Sequence, residues 1–446
     1  MSDRPDVFLF VVDSLREDAV DYETGPDCRT PNLAGLAERS VVFDTAITHG
    51  VGTAPAMTAL LTGSLPLSHG GHWWLAEDRW TVAETLRAAG YRTGAIHTNP
   101  NVSRLRNFQQ GFDTFDEHLL PLIPGDVLTT LPDGLVQGLN KAARLVRQTP
   151  YLPASTLRRK IVRWVDRTAG AGPRFLWTQF MDVHGPYLAH EGLAVRDRIR
   201  AERLWRLATR RPDQVTGTQH ATLRERYGAE VRYWDDQLGR LLAGLRDRDR
   251  LEDALVVLTS DHGDEFREHG EYGHGNNAYE ELVRVPLVIN PPGNAGDGQR
   301  VSRPVQLLDV VPTVLDLAGV TPPAAAADQF AGRSLLPDAD PDPDPPTDGF
   351  ETVIEKQVRG GQALRIAVRT DRWKFVDDGH EGREELYDLR ADPNEESDVL
   401  DEYPDLAERF RARTARRRAV AADLDGREDV ESGEVRDRLE RLGYLE

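Results

Sequence analysis

Three apolar runs in this chain stop at side chains that can bind charge or move protons. Residues 7–12 (VFLFVV) end at Asp13-Ser14-Leu15-Arg16, and residues 174–181 (RFLWTQFM) end at Asp182-Val183-His184. Residues 254–258 (ALVVL) lead through Thr259-Ser260 to Asp261-His262-Gly263-Asp264. Each run has the length and composition of a strand buried on both faces. A single Asp at a strand end is commonly a turn residue. Open α/β sheets, however, bind ligands outside the carboxyl ends of their strands, and three such ends predict one site. His274, between Gly273 and Gly275 in the loop after the third run, joins the candidates.

Residues 53–63 (TAPAMTALLTG) bring a hydroxyl to this company. Thr53 reads as a helix N-cap, Pro55 fits the first turn, and Met57, Leu60 and Leu61 repeat at helical spacing up to Gly63. A hydroxyl there faces free backbone N–H groups and the positive end of the helix dipole, a setting that suits an anionic ester. Taken alone, Thr53 would be read as a simple cap; the neighbouring strand ends are what argue for chemistry. Arg16 behind the first strand, His69 beside the Trp73-Trp74 pair, and Asn99 at the end of the 93–97 strand are the candidate substrate contacts.

The elements that must position these groups alternate along the chain. Strand-like runs are separated by helical patterns, the clearest being Val231, Trp234, Leu238, Leu241, Leu242 and Leu245 on one helix face. A chain of 446 residues predicts one large domain and a smaller one. Residues 1–337 are expected to form the catalytic unit, and the Asp/Pro alternation at 338–348 reads as a linker. Residues 349–446 then form a C-terminal subdomain, with paired strands near 363–369 and 373–377 and charged helices at the end. Residues 119–172 are a basic insert, with eight cations against three aspartates. It is expected to be a solvated helical lid with Leu157, Ile161 and Trp164 packed inward.

The formal charge is −19 and the apolar content 39%, with lysine only at positions 141, 160, 356 and 374. An acidic, lysine-poor surface argues against nucleic acid as a partner and fits a high-salt cytoplasm. Cys28 is the only cysteine, so a disulfide within the chain is excluded. The first residues lack a signal-peptide pattern, and no apolar run approaches the ~20 residues of a transmembrane helix. A cytoplasmic protein is expected; the oligomeric state is left open.

Taken together, these residues resemble the sulfatase family of the alkaline phosphatase superfamily. The resemblance rests on Asp13, TPNLAGLA at 30–37, the 53–63 helix, HGPY at 184–187 and TSDHGD at 259–264. YEELVRVPLVI at 279–289, LLDVVPTVLDLAG at 307–319 and ELYDLRADPNE at 385–395 complete it. It implies an α/β fold, a mixed, mostly parallel sheet sandwiched by helices, with a small C-terminal α+β domain around an antiparallel sheet. It also implies metal ligands at Asp13, Asp261 and His262, with the Thr53 hydroxyl completing the set, and places His184 and His274 on the anion or the leaving oxygen.

This chain departs from the family where Cys or Ser stands in C/S-x-P-x-R and is oxidised to formylglycine. Here the residues are Thr53-Ala54-Pro55-Ala56-Met57, and Thr cannot make that group. A sulfated threonine lacks the second hydroxyl that expels sulfate, whereas water or an alcohol can clear a phosphothreonine. Related phosphodiesterases, phosphoethanolamine transferases and lipoteichoic acid synthases carry Thr at this position. Thr53 is therefore expected to be the covalent nucleophile of a phosphoesterase or phosphotransferase acting on phosphodiester or phosphoglycerol-type esters, glycan- or lipid-linked substrates included. Asp-His where sulfatases usually have Asp-Asn softens the site, favouring one Mn²⁺ or Zn²⁺ over Mg²⁺ or Ca²⁺. A second ion at Asp182, His184 and His274 is the two-metal alternative. The rival readings are a sulfate ester hydrolase working without formylglycine and a non-catalytic anionic-glycan-binding protein.

Overall fold

β1 (Val7–Val12) is buried along its whole length because it has a partner on each edge and helices over each face. It pairs in parallel with β5 (Arg174–Phe180) on one side and β6 (Leu255–Ser260) on the other. Beyond β5 lie β3 (Arg92–His97) and β4 (Thr114–Glu117), both parallel. Beyond β6 come β9 (Arg284–Asn290) and β2 (Val41–Ile47), and the short β10 (Arg300–Val301) and β11 (Val305–Gln306) pair with β2. β9 is antiparallel to both of its neighbours. The computed structural model describes residues 4–69, 73–117, 151–170, 172–188, 194–275, 277–335, 350–357 and 364–424. Within them the mixed, mostly parallel sheet expected from the sequence has nine strands, and β7 (Glu265–Phe266) and β8 (Tyr272–Gly273) pair antiparallel as a separate ribbon after β6.

Alternate side chains of β1 serve opposite layers, as the two-residue period of a strand requires. Phe8, Phe10 and Val12 pack with α1 (Pro31–Ala37), α4 (Ala154–Arg167) and α6 (Gly217–Arg246). Val7, Leu9 and Val11 pack with α2 (Thr53–Thr62), α3 (Val82–Ala88) and α8 (Val310–Leu317). Each such side chain, fully withdrawn from water, contributes roughly 1.5–3 kcal/mol. The predicted stripe on α6 is buried as a whole, and Thr216 and Gln219 close that helix with a capping box. α4 is the described remainder of the basic insert, and it buries Leu157, Ile161 and Trp164 as expected. Residues 119–150 of that insert, the 338–348 stretch and residues 425–446 lie outside the described residues.

The C-terminal sheet is an antiparallel meander of β12 (Glu351–Gln357), β13 (Leu364–Thr370), β14 (Trp373–Asp378) and β15 (Arg383–Asp388). One face takes Ala407 and Phe410 of α9 (Pro404–Leu424) on Val368, Phe375 and Leu386. The other lays Ile354, Ala367 and Val376 against Ile47, Val51, Leu282 and Val283 of the first domain. Fully buried Lys374 crosses this seam, with Nζ 3.3 Å from Glu280 on α7 (Glu280–Val283) and 3.0 Å from Glu395.

Candidate active site

The register of the sheet builds the first half of the site. Val12 stands opposite both Phe180 and Ser260, so Asp13 and Asp261 leave neighbouring strands side by side. Gln179 of β5 donates from Nε2 to both, 3.0 Å to Asp13 Oδ2 and 2.9 Å to Asp261 Oδ2. Asp261 Oδ1 also accepts the backbone N–H groups of Ser14 and His262, at 3.2 and 2.9 Å.

α2 delivers the hydroxyl, though not as the cap the sequence predicts. Gly52 takes the N-cap position at φ +118°, a conformation glycine holds without Cβ strain, and Thr53 is the first helical residue. The Thr53 hydroxyl is thereby free to donate to Asp13 Oδ2 at 3.1 Å. Asn99 Nδ2 donates to the same carboxylate oxygen at 2.7 Å and to Thr53 Oγ1 at 3.3 Å. Thr53 is 4% exposed, on the floor of the site.

Electrostatics in this half call for a cation. Burial works to raise the Asp13 carboxyl, but the imidazoles of His184, His262 and His274 and the Thr53 hydroxyl draw it below its ordinary range. Asp261 is pushed well above its ordinary value by burial and by the charge of Asp13. His262 Nδ1 lies 2.9 Å from the Gly263 carbonyl and donates to it, which turns the Nε2 lone pair inward. That Nε2 is fully buried without a hydrogen-bond partner, 3.6 Å from Asp261 Oδ2 and 4.0 Å from Asp13 Oδ1. Burial holds the imidazole neutral, its pKa down at about 3. An orphaned lone pair facing two crowded carboxylates is what a metal site leaves when its donors are considered alone. Ligand atoms of Asp13, Asp261 and His262 all lie within 4.8 Å of one another, so these residues fit a divalent ion.

The second half stands on loops. The rings of His184 and His274 are 5.2 Å apart, and His274 lies 4.3 Å from His262, centroid to centroid. His274 Nδ1 is 2.8 Å from Asp264 Oδ1, and Asp264 Oδ2 accepts the Tyr187 hydroxyl at 2.6 Å. Burial lowers the His274 pKa, with Asp264 opposing. Asp182, expected beside His184 in the two-metal alternative, instead accepts the backbone N–H of Ala154 at 2.9 Å, at the start of α4. Asp264 takes its place, and His262, Asp264 and His274 form a second group with ligand atoms within 4.8 Å.

A family model described as Sulfatase matches residues 5–320, and one for the C-terminal part of N-sulphoglucosamine sulphohydrolase matches residues 267–419. The chain belongs to the sulfatase family. It is 27% identical over 440 residues to the choline-sulfatase of Rhizobium meliloti (strain 1021), covering 88% of this chain and 81% of that protein. Among solved structures, the phosphonate monoester hydrolase of Agrobacterium radiobacter superposes with a TM-score of 0.71 at 22% identity, covering 94% of this chain and 96% of that one. BT4656, in complex with its substrate D-glucosamine-2-N,6-O-disulfate, superposes at 0.69 with 19% identity, covering 96% and 100%. These likenesses establish the alkaline-phosphatase-like fold. The chain is a sulfatase-family hydrolase; enzymes of the family bind a divalent metal ion, and the Asp13 group is a place that can hold one.

Against that family frame, the predicted residues Asp13, Thr53, Asn99, His184, Asp261, His262 and His274 are brought together. Arg16 is not available as an anion contact. Its guanidinium is held by Asp18 at 2.7 Å, by Glu268 at 2.8 Å and by the Asp264 carbonyl at 3.0 Å, so it braces the loop behind the site. His69 ends the short turn Pro66–His69, whose Ser68 is bonded to Arg417 of α9. Among the described residues, no hydrogen bond joins His69 to Thr53. Sequence reasoning passed over Gln179, Asp264 and Tyr187. A glutamine inside the apolar run FLWTQF was the visible signal for the first, and the second carboxylate of DHGD for the next.

Proposed function

We propose that the protein is a metal-dependent phosphoesterase working through a covalent phosphothreonine at Thr53. The observation that carries the reading is the Thr53 hydroxyl bonded to Asp13 inside the Asp13–Asp261–His262 group, on a helix that lacks the residues for formylglycine. Asp13, Asp261 and His262 would hold the ion with Thr53 Oγ1 beside it, and the ion, when bound, supplies charge neutralisation at the ester oxygens and a lower hydroxyl pKa.

Thr53 Oγ1, oriented by its bond to Asp13 Oδ2, gives its proton to water and forms the new bond to phosphorus. The bond from phosphorus to the leaving oxygen breaks, and that oxygen takes a proton from the His184–His274 pair. Asp264 and the Tyr187 hydroxyl behind it orient His274. Water then attacks the phosphothreonine, returning a proton to the imidazole, and the Thr53 oxygen leaves and takes up a proton from water. Asn99 steadies the Thr53 oxygen in both steps.

The similarity to a choline-sulfatase favours a second reading, sulfate ester hydrolysis at the same threonine. Turnover of an aryl phosphate, a bis-aryl phosphate and an aryl sulfate by wild type and Thr53→Ala separates the two. Preference for phosphate esters, lost in Thr53→Ala, with radiolabelled phosphate trapped on Thr53 by acid quench, is the expected result. Full activity of Thr53→Ala on the preferred ester would remove the nucleophile assignment.

A further inference from the structure

α5 (Val195–Arg210) carries Trp205, which touches both histidine loops. Gly185 follows His184 and Gly273 precedes His274, and the indole of Trp205 fills the space beside each. A Cβ added at Gly185 would lie 2.3 Å from Trp205 Cζ2, and one at Gly273 3.1 Å from Trp205 Cη2. The ring edge can sit beside Gly185 only because that position lacks a side chain, and a Cβ at Gly273, whose φ is +78°, would press on it. The same indole packs edge-on against Tyr187, with centroids 5.1 Å apart at 69°. Tyr187 donates to Asp264, and Asp264 holds His274 Nδ1. One aromatic ring thus bears on the backbone beside His184, the backbone beside His274, and the brace that orients His274.

We propose that Trp205 is the positioning residue for the leaving-group side of the site, setting the separation and orientation of His184 and His274. The inference rests on the reading of those two histidines as the proton source for the leaving oxygen. The other account of Trp205 is that it merely anchors α5, since it also packs beside the core. An anchor affects how much enzyme is folded. A positioning residue changes how reactivity depends on the leaving group, because misplaced imidazoles help least where the leaving oxygen most needs a proton.

The test is a series of aryl esters, phosphate or sulfate according to which the wild type turns over, spanning leaving groups from nitrophenol to phenol. Full-length wild type, Trp205→Phe and Trp205→Ala are compared, with melting temperatures measured in parallel. For Trp205→Ala, kcat/KM is expected to fall at least tenfold further on the phenyl ester than on the nitrophenyl ester, with Trp205→Phe between. Should Trp205→Ala fail to fold, Trp205→Phe carries the comparison alone, with a threefold differential expected. A uniform loss across the series, or a lower melting temperature with an unchanged slope, would overturn the proposal. A steeper slope alongside full activity of Thr53→Ala would reject only the nucleophile assignment. An enzyme that turns over neither series would overturn both.

Discussion

Asp13, Asp261 and His262 leave the sheet at the ends of adjacent strands, whereas His184 and His274 stand on loops beyond it. The first group inherits its geometry from the β5–β1–β6 ladder, whose hydrogen bonds fix where each chain emerges. The second is held by side-chain contacts: the Tyr187–Asp264–His274 chain and the indole of Trp205. Backbone ladders tolerate substitution of neighbouring side chains; a set of packed rings does not. The half at the strand ends should therefore be lost mainly by changing its own residues, while the histidine half should also be sensitive to residues that never meet substrate.

The largest effect expected is on the first half. Asp261→Asn removes one of the two carboxylates that the cation would neutralise, and Thr53→Ala removes the hydroxyl. Each is expected to cost at least ~10³-fold in kcat. Dialysis against a chelator should abolish turnover in the wild type, with Mn²⁺ or Zn²⁺ restoring it more fully than Ca²⁺. Equal rescue by Ca²⁺ would count against the imidazole of His262 as a ligand.

Next comes the second half. His274→Ala is expected to cost ~10²–10⁴-fold, the usual range for a general acid. Asp264→Asn should cost ~10–100-fold, since it leaves the imidazole in place without its charged partner. If Asp264→Asn were silent while His274→Ala was not, the brace through Tyr187 would have no function.

A third contrast lies where the C-terminal sheet meets the loop ahead of Thr53. Lys356 of β12 is buried and donates from Nζ to the Val51 carbonyl at 2.6 Å, just ahead of Gly52 and Thr53. Glu355 donates its backbone N–H to His49, and Gly50 bridges Glu355. The loop that presents Thr53 is thus strapped by the second sheet. Lys356→Met is expected to lower kcat about tenfold with KM little changed, because the strap acts through Thr53 rather than through substrate. An equal change in KM would point to direct contact with the ester.

The difference between the halves also governs what could be read from the sequence. Asp13 and the Asp261–His262 pair were legible because a buried strand and the polar residue ending it are contiguous, so local pattern suffices. Gln179 was harder, since its role appears only when the sheet brings it to an aspartate 166 positions away. Trp205 was invisible, because its significance lies in two glycines of other elements. Arg16 was misread for the complementary reason. A cation after a strand end suits an anion, but Asp18 nearby and Glu268 from the loop after β6 claim it first. Thr53 was placed one residue off, because a Thr before an apolar helix looks like a cap unless the glycine ahead of it adopts positive φ.

The smallest effect expected concerns stability, and it sets the imidazoles of the site apart from those of the frame. His97, between Trp177 and Phe115, and His49, bonded to the Val353 carbonyl, are fully buried. Burial pushes their pKa values down, to about 3 and about 4. Both stay neutral in the folded protein but protonate in the unfolded chain below pH ~6.5. The unfolded state then binds more protons, so stability falls as pH drops from ~6.5 towards 4. His269 has the opposite sign. Burial opposes its charge, yet the carboxylate of Glu281 at 2.7 Å and the Glu395 carbonyl raise it to about 9. Its contribution is complete below the unfolded value of ~6.5 and is lost as pH rises through 9. Urea midpoints between pH 4.5 and 9.5 should therefore peak near neutrality, with His97→Phe flattening the acid limb and His269→Gln the alkaline limb. An alkaline limb unchanged by His269→Gln would show that the Glu281 pair contributes nothing to the fold.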